Sequence, residues 1–158
     1  MYTSFSKIII LFSLISFSCF GAEKNIIFFI TDDESPTLGC YGDSIAKTPA
    51  IDALAKDGTV FQNAFATTAS CSASRSVVMS GLHNHANGQY GHQHSFHKFS
   101  SYFNVIELSL PRNLTKAGYR TGHIGKYHVS PEEVFRFETY LKGNPRNAVQ
   151  MAEATKAF

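Results

Sequence analysis

A nearly continuous apolar run, Asn25-Ile26-Ile27-Phe28-Phe29-Ile30-Thr31, stops abruptly on Asp32-Asp33-Glu34. Rich in β-branched and aromatic residues, the run predicts a central parallel strand buried on both faces, and with it an α/β fold built on a mostly parallel sheet. Open sheets of that kind take ligands beyond the carboxyl ends of their strands, so Asp32 and Asp33 are candidate site residues. Adjacent acids on an extended chain point to opposite sides. One metal ion takes both only if the chain turns there, which Glu34, Ser35 and Pro36 permit. Taken singly, either acid reads better as a loop residue or a helix cap.

Further along, the chain alternates. Thr48 to Gly58 has an N-cap candidate, Pro49 at the first helical position, apolar residues at helical spacing and a terminating glycine, which predicts a packing helix. Thr59 to Phe65 predicts a short strand anchored by Val60, Phe61 and Phe65. Ser109 to Gly118 predicts a second helix and Tyr119 to Ile124 another strand, whose carboxyl end runs into Gly125-Lys126-Tyr127-His128. Lys126 and His128, two residues apart on an extended turn, share a face. Residues 135–140 allow a loop or a strand, and Asn144 to Phe158 looks helical. An apolar fraction of 44% with 16% charged residues over 158 positions excludes a disordered or acidic-tail class. A net charge of +2 with scattered basic residues argues against a nucleic-acid partner.

Cys71-Ser72-Ala73-Ser74-Arg75-Ser76-Val77-Val78-Met79-Ser80-Gly81 carries the chemistry: a small-residue turn with a thiol and a guanidinium runs into a short apolar helix. Arg75 lies one helical turn beyond Cys71 and can face the same side. Between a strand end and a helix start, backbone N–H groups and the helix dipole favour a bound anion. The alternative is a buried free cysteine at a helix start, a common place for free Cys.

The order Cys-x-Ala-Ser-Arg, apolar turn, Ser, Gly resembles the signature of type I sulfatases, and Asp32-Asp33 and Gly125-Lys126-Tyr127-His128 stand where that family has its other N-terminal landmarks. The resemblance implies an alkaline-phosphatase-like sandwich and hydrolysis of sulfate from sulfated sugars. It implies that Cys71 is oxidised after translation to formylglycine, whose hydrate is the nucleophile. It further implies that Asp32, Asp33 and residue 71 hold a divalent metal, usually Ca2+, that Arg75 and Lys126 stabilise the diol and the anion, and that His128 serves as acid or base. Ala73 stands where many sulfatases have Pro. Radical-SAM maturases accept Ala there, so Ala73 favours that type of formylglycine-generating partner and a bacterial source.

Five of the seven histidines fall between His83 and His97. No Cys pair and no paired His spacing on an expected helix supports a zinc site there. The stretch His85-x-Asn87-Gly88-x-Tyr90-Gly91, with His97 and Phe99, instead resembles the region after the signature in the sulfamidase branch of the family. That likeness implies a role on the substrate side of the pocket, with His85 a substrate-binding candidate. It favours N-sulfoglucosamine groups of heparan-type glycans over O-sulfate esters.

Residues 1–22 show Lys7, an apolar stretch from Ile8 to Phe20 and small residues Gly21 and Ala22, the pattern of a secretory signal peptide. The apolar run is shorter than the roughly 20 residues a bilayer span needs. A secreted or periplasmic location is expected, lysosomal in a eukaryote; Cys19 fits a lipoprotein anchor poorly. Removal of the leader leaves Cys40 and Cys71, and their spacing allows a disulfide between them. The resemblance spans residues 25–158 and corresponds to the N-terminal portion of much longer enzymes. Further metal ligands, a second His and a second Lys are expected after Phe158, and residues 1–158 alone are expected to be inactive. Two classes stay open at this point: a sulfate or sulfamate hydrolase, and a truncated remnant or metal-binding module without activity.

Overall fold

The structure, a computed structural model, describes residues 24–94, 96 and 98–158. The expected leader with Cys19, and His97, lie outside the described residues. The chain divides after Thr31 into two units.

In the first unit the described residues 24–31 form no strand, and Ile27 and Phe29 are 78% and 82% exposed. The expected central strand is therefore not formed. Its composition suits burial, but a strand also needs a hydrogen-bonded neighbour along its edge, and a pattern of side chains does not supply one. The same correction applies to residues 59–65, which carry no strand and leave Phe65 88% exposed.

The second unit, residues 32–158, contains the elements that order the site. Helix α1 (Pro49–Asp57) starts after Thr48 and stops before Gly58, as the capping pattern predicts. Its start is pinned to a 3-10 turn over Gly39–Tyr41. Thr48 Oγ1 accepts from the Gly39 amide at 2.9 Å, and Asp52 Oδ1 accepts from the Cys40 amide at 2.8 Å. Helix α2 (Cys71–Ser80) begins on the thiol and ends at Gly81, whose φ of 68° is a left-handed conformation that glycine adopts without a side-chain clash. A single turn, α3 (Asn84–Asn87), is followed by a 3-10 segment over Phe103–Leu108 and helix α4 (Leu110–Lys116). Strands β1 (Gly122–Ile124) and β2 (Thr139–Leu141) pair in parallel, with Gly122 opposite Thr139 and Ile124 opposite Leu141. Helix α5 (Ala148–Lys156) closes the chain, and Asn147 caps it by accepting from the Gln150 amide at 3.1 Å. Helices with a small parallel sheet make this unit α/β.

Met79 at the end of α2 packs with Val105, Val129, Val134 and Phe135 into the apolar core. Phe135 has no exposed surface, and burying a side chain of that size contributes roughly 1.5–3 kcal/mol. The other buried face of α2 is polar, with Ser72, Ser76 and Ser80 enclosed. Such groups are tolerated inside only when they are hydrogen-bonded. Asn87, fully buried, donates to Ser76 Oγ at 3.0 Å, Ser80 Oγ at 3.3 Å and the Leu82 carbonyl at 3.1 Å. Asn84 donates to the carbonyls of Ala73 and Gln89, and the Gln89 amide donates to Asn87 Oδ1 at 2.8 Å. A polar web thus fastens the histidine-rich loop to α2. Asn87, which the likeness put on the substrate side, belongs to this support.

Candidate active site

Cys71 opens α2 and is half-buried. Cys40 and Cys71 are both free, so the disulfide that their spacing allows is not formed. One turn on, the buried Arg75 side chain donates through Nη1 to the Lys126 carbonyl at 2.9 Å. Its Nη2 stands 3.7 Å from Asp32 Oδ1. The guanidinium therefore ties α2 to the turn after β1, and its charge faces the acid.

That turn, Gly125 to His128, brings two groups to the same place. Lys126 Nζ donates to both Asp32 carboxylate oxygens, at 2.8 and 3.0 Å. The bond to Asp32 raises the Lys126 pKa above its ordinary value, and the same bond lowers that of Asp32. His128 adopts a positive φ of 54°, and its Nε2 donates to the Gln93 carbonyl at 2.9 Å. Burial pushes its pKa below the usual imidazole range, with the nearby Lys126 charge acting in the same direction, so the neutral ring is favoured. Because Nε2 carries the hydrogen in that bond, Nδ1 carries the lone pair. It is buried and has no protein partner.

The Gln93 backbone acts as a clip. Its amide donates to Ser72 Oγ at 3.0 Å, beside Cys71, while its carbonyl holds His128. This sets His92 and His94 against the site. Ring centroids are 4.7 Å apart for His92 and His94, 5.4 Å for His94 and His128, and 6.0 Å for His92 and His128. Cys71 Sγ and one ring nitrogen each of His92 and His128 all lie within 4.8 Å of one another. His92 Nδ1, too, is buried without a partner.

Of the residues singled out in the sequence, Asp32, Cys71, Arg75, Lys126 and His128 come together in this cluster. Asp33 sits beside it with a φ of 57°, the local turn that two adjacent acids need if they are to serve one ion. Carboxylate oxygens suit a hard divalent cation, so Asp32 and Asp33 fit as part of such a site. Together they offer at most four of the roughly 6–8 oxygens that Ca2+ takes. Among the described residues, the one converging group of three or more metal-binding side chains is Cys71, His92 and His128. His85 is exposed on α3, where its ring stacks on His83 at 5.8 Å and its carbonyl accepts from Tyr90 Oη at 3.3 Å. Neither contact is with a residue of the cluster. His92 and Ser72 were not singled out by spacing. The only cue to them in the sequence is the crowding of histidines, because contacts 21 residues apart depend on how the loop folds back.

A sequence model of the sulfatase family matches residues 24–156. Human N-sulphoglucosamine sulphohydrolase is 42% identical over 120 residues, covering 76% of this chain and 24% of that protein. An ulvan-active sulfatase of Formosa agariphila is 36% identical over 133 residues, 84% of this chain and 25% of its own length. An N-acetylglucosamine-6-O-sulfatase of Bacteroides thetaiotaomicron is 35% identical over 122 residues, 73% of this chain and 21% of its own. The chain spans about a quarter of the length of these relatives.

Proposed function

The chain belongs to the sulfatase family, and from that premise we propose that the whole protein removes sulfate from sulfated sugars, with N-sulfoglucosamine groups as the preferred substrate. The observation that carries the reaction type is the convergence of the Cys71 thiol, the Lys126 ammonium, the Arg75 guanidinium, the Asp32 carboxylate and the His128 ring. Conversion of Cys71 to formylglycine would supply, on hydration, a geminal diol with one hydroxyl to attack sulfur and another to expel sulfate as the aldehyde re-forms. Asp32 and Asp33, with residue 71, would hold a divalent ion of the calcium type, which lowers a hydroxyl pKa and screens the sulfate charge.

The chain's own residues do the rest. Lys126 offers a mobile cation to the sulfate oxygens, and Asp32 keeps that amine protonated. Arg75 fixes where Lys126 stands by holding its carbonyl. His128 is poised as a neutral base whose free Nδ1 can take the proton that leaves as sulfate is expelled. The first backbone amides of α2 add a positive end to the anion's surroundings.

The substrate branch rests on likeness to the human sulphohydrolase. Sulfamate and sulfate ester present the same tetrahedral anion, so discrimination must come from the sugar ring and the leaving group. An amine leaving group needs a proton donor, a role that a histidine of the 83–97 loop can orient or supply, and His85, exposed on α3, is assigned to substrate binding. Residues 1–22 are read as an export leader, the maturase as the radical-SAM type and the completed fold as an alkaline-phosphatase-like sandwich. The apolar composition of residues 25–31 supports that fold. The test is an assay of the full-length matured protein on N-sulfated and 6-O-sulfated glucosamine side by side, repeated with His85→Ala. Preference for the N-sulfated sugar, reduced in the variant, is the expected result; preference for the O-sulfated sugar overturns the substrate.

A further inference from the structure

We propose that, in its unconverted thiol form, Cys71 completes with His92 and His128 a three-ligand site for a soft-to-borderline divalent ion such as Zn2+, with a fourth position open. This is a different site from the carboxylate pair, and it rests neither on conversion of Cys71 nor on sulfatase activity.

The donor set matches such an ion. Thiolate and imidazole bind Zn2+ at about 2.3 and 2.0–2.1 Å, which places tetrahedral ligand atoms about 3.5 Å apart. The three ligand atoms already lie within 4.8 Å of one another, so roughly an ångström of closure suffices. Both imidazoles are ready. His128 donates Nε2–H to the Gln93 carbonyl, a support that fixes its tautomer and leaves Nδ1 with a lone pair. Nδ1 of His128 and Nδ1 of His92 are buried without a partner, the condition that a bound ion would relieve. The frame is stiff at each corner: Cys71 is the first residue of α2, His92 adjoins Gln93, and Gln93 is bonded to both Ser72 and His128. Lys126 opposes a cation here, but its charge is paired with Asp32.

Binding replaces the S–H proton by the metal and releases that proton to solvent, with no change in oxidation state. Conversion to formylglycine removes the thiolate donor, so the two fates of Cys71 exclude one another. A thiolate held by the ion is also shielded from reagents that attack free thiol.

The experiment uses the full chain produced without a maturase, reduced and stripped of metal. Co2+ is added as the spectroscopic probe, and Zn2+ is then used to displace it. One equivalent of Co2+ should give a thiolate-to-metal charge-transfer band that Zn2+ bleaches. The band should vanish in Cys71→Ala and persist in Cys40→Ser and in the His83→Ala/His85→Ala double variant. Zn2+ affinity should fall at least about tenfold in His92→Ala, with circular dichroism checking that each variant is folded. A second measurement needs no substitution: Zn2+ should slow alkylation of Cys71 severalfold and leave Cys40 unchanged, read by peptide mass. Absence of the band in folded wild-type chain, its persistence in Cys71→Ala, or equal alkylation of Cys71 with and without Zn2+ overturns the site.

Discussion

The acid side and the imidazole side of the Cys71 cluster are held by opposite physics. Asp32 keeps 52% of its side chain exposed, and its carboxyl is drawn below the ordinary range chiefly by the Lys126 bond. Contacts of that kind sit in water and weaken with salt. His128 is shifted mainly by burial, and its place is set by the backbone of Gln93 and by Ser72 rather than by charge. One side compensates charge with charge and is adjustable. The other is organised before anything binds, through a polar web rooted in buried Asn87 and the serines of α2. On the proposed reading, a site that accepts a sulfate-type anion and also moves a proton has a use for each arrangement.

Cys71 lies at the seam, and its removal should have the largest effect. In the full-length matured protein, Cys71→Ala is expected to lower kcat by about 10⁴-fold or more, since loss of a covalent nucleophile leaves only binding and electrostatic terms. Turnover within tenfold of wild type would place the nucleophile elsewhere. On the acid side, Lys126→Ala should lower kcat by about 10²–10³-fold, the usual effect of deleting one group that stabilises developing charge. A change in KM alone would make Lys126 a binding group only.

On the imidazole side the support can be broken without touching the cluster. Asn87→Ala removes four hydrogen bonds and leaves the buried Gln89 amide without its acceptor, so unfolding stability should drop by about 2–3 kcal/mol. Urea denaturation reads it; a drop below about 0.5 kcal/mol would mean that water replaces the amide. The smallest effect expected is a pH slope from His123 on β1. Burial, and then the Arg75 charge, hold its pKa below the ordinary value. The unfolded chain therefore takes up the proton first as pH falls, so the His123 contribution is intact above about pH 6.5 and declines below it. Denaturation midpoints measured at about pH 7.5 and 5.5 should lie closer together in His123→Phe than in wild type. An unchanged spacing would assign the slope to other groups.

Much of the local structure could be read from residues alone. Thr48, Pro49 and Gly58 bracket α1, Gly81 ends α2, and Gly125 follows β1 where the turn was expected. These are short-range signals, carried by capping and by glycine's conformational freedom. What the sequence did not reveal is long-range. The runs 25–31 and 59–65 have strand composition, yet no described neighbour pairs with them. Periodicity says which residues can be buried, not what buries them. In the same way, spacing could put Lys126 and His128 on one face, but the approach of His92 to Cys71 depends on the Gln93 clip, and backbone bonds made by a folded loop leave no mark in composition.

The central claim is that Cys71 is a precursor and not a structural thiol. The most direct measurement is the mass of the peptide containing residue 71, taken from protein produced with a formylglycine-generating maturase. The account predicts a peptide lighter by the exchange of CH2SH for CHO and reactive towards aldehyde probes. A peptide recovered only as free thiol, or linked to Cys40, would contradict it.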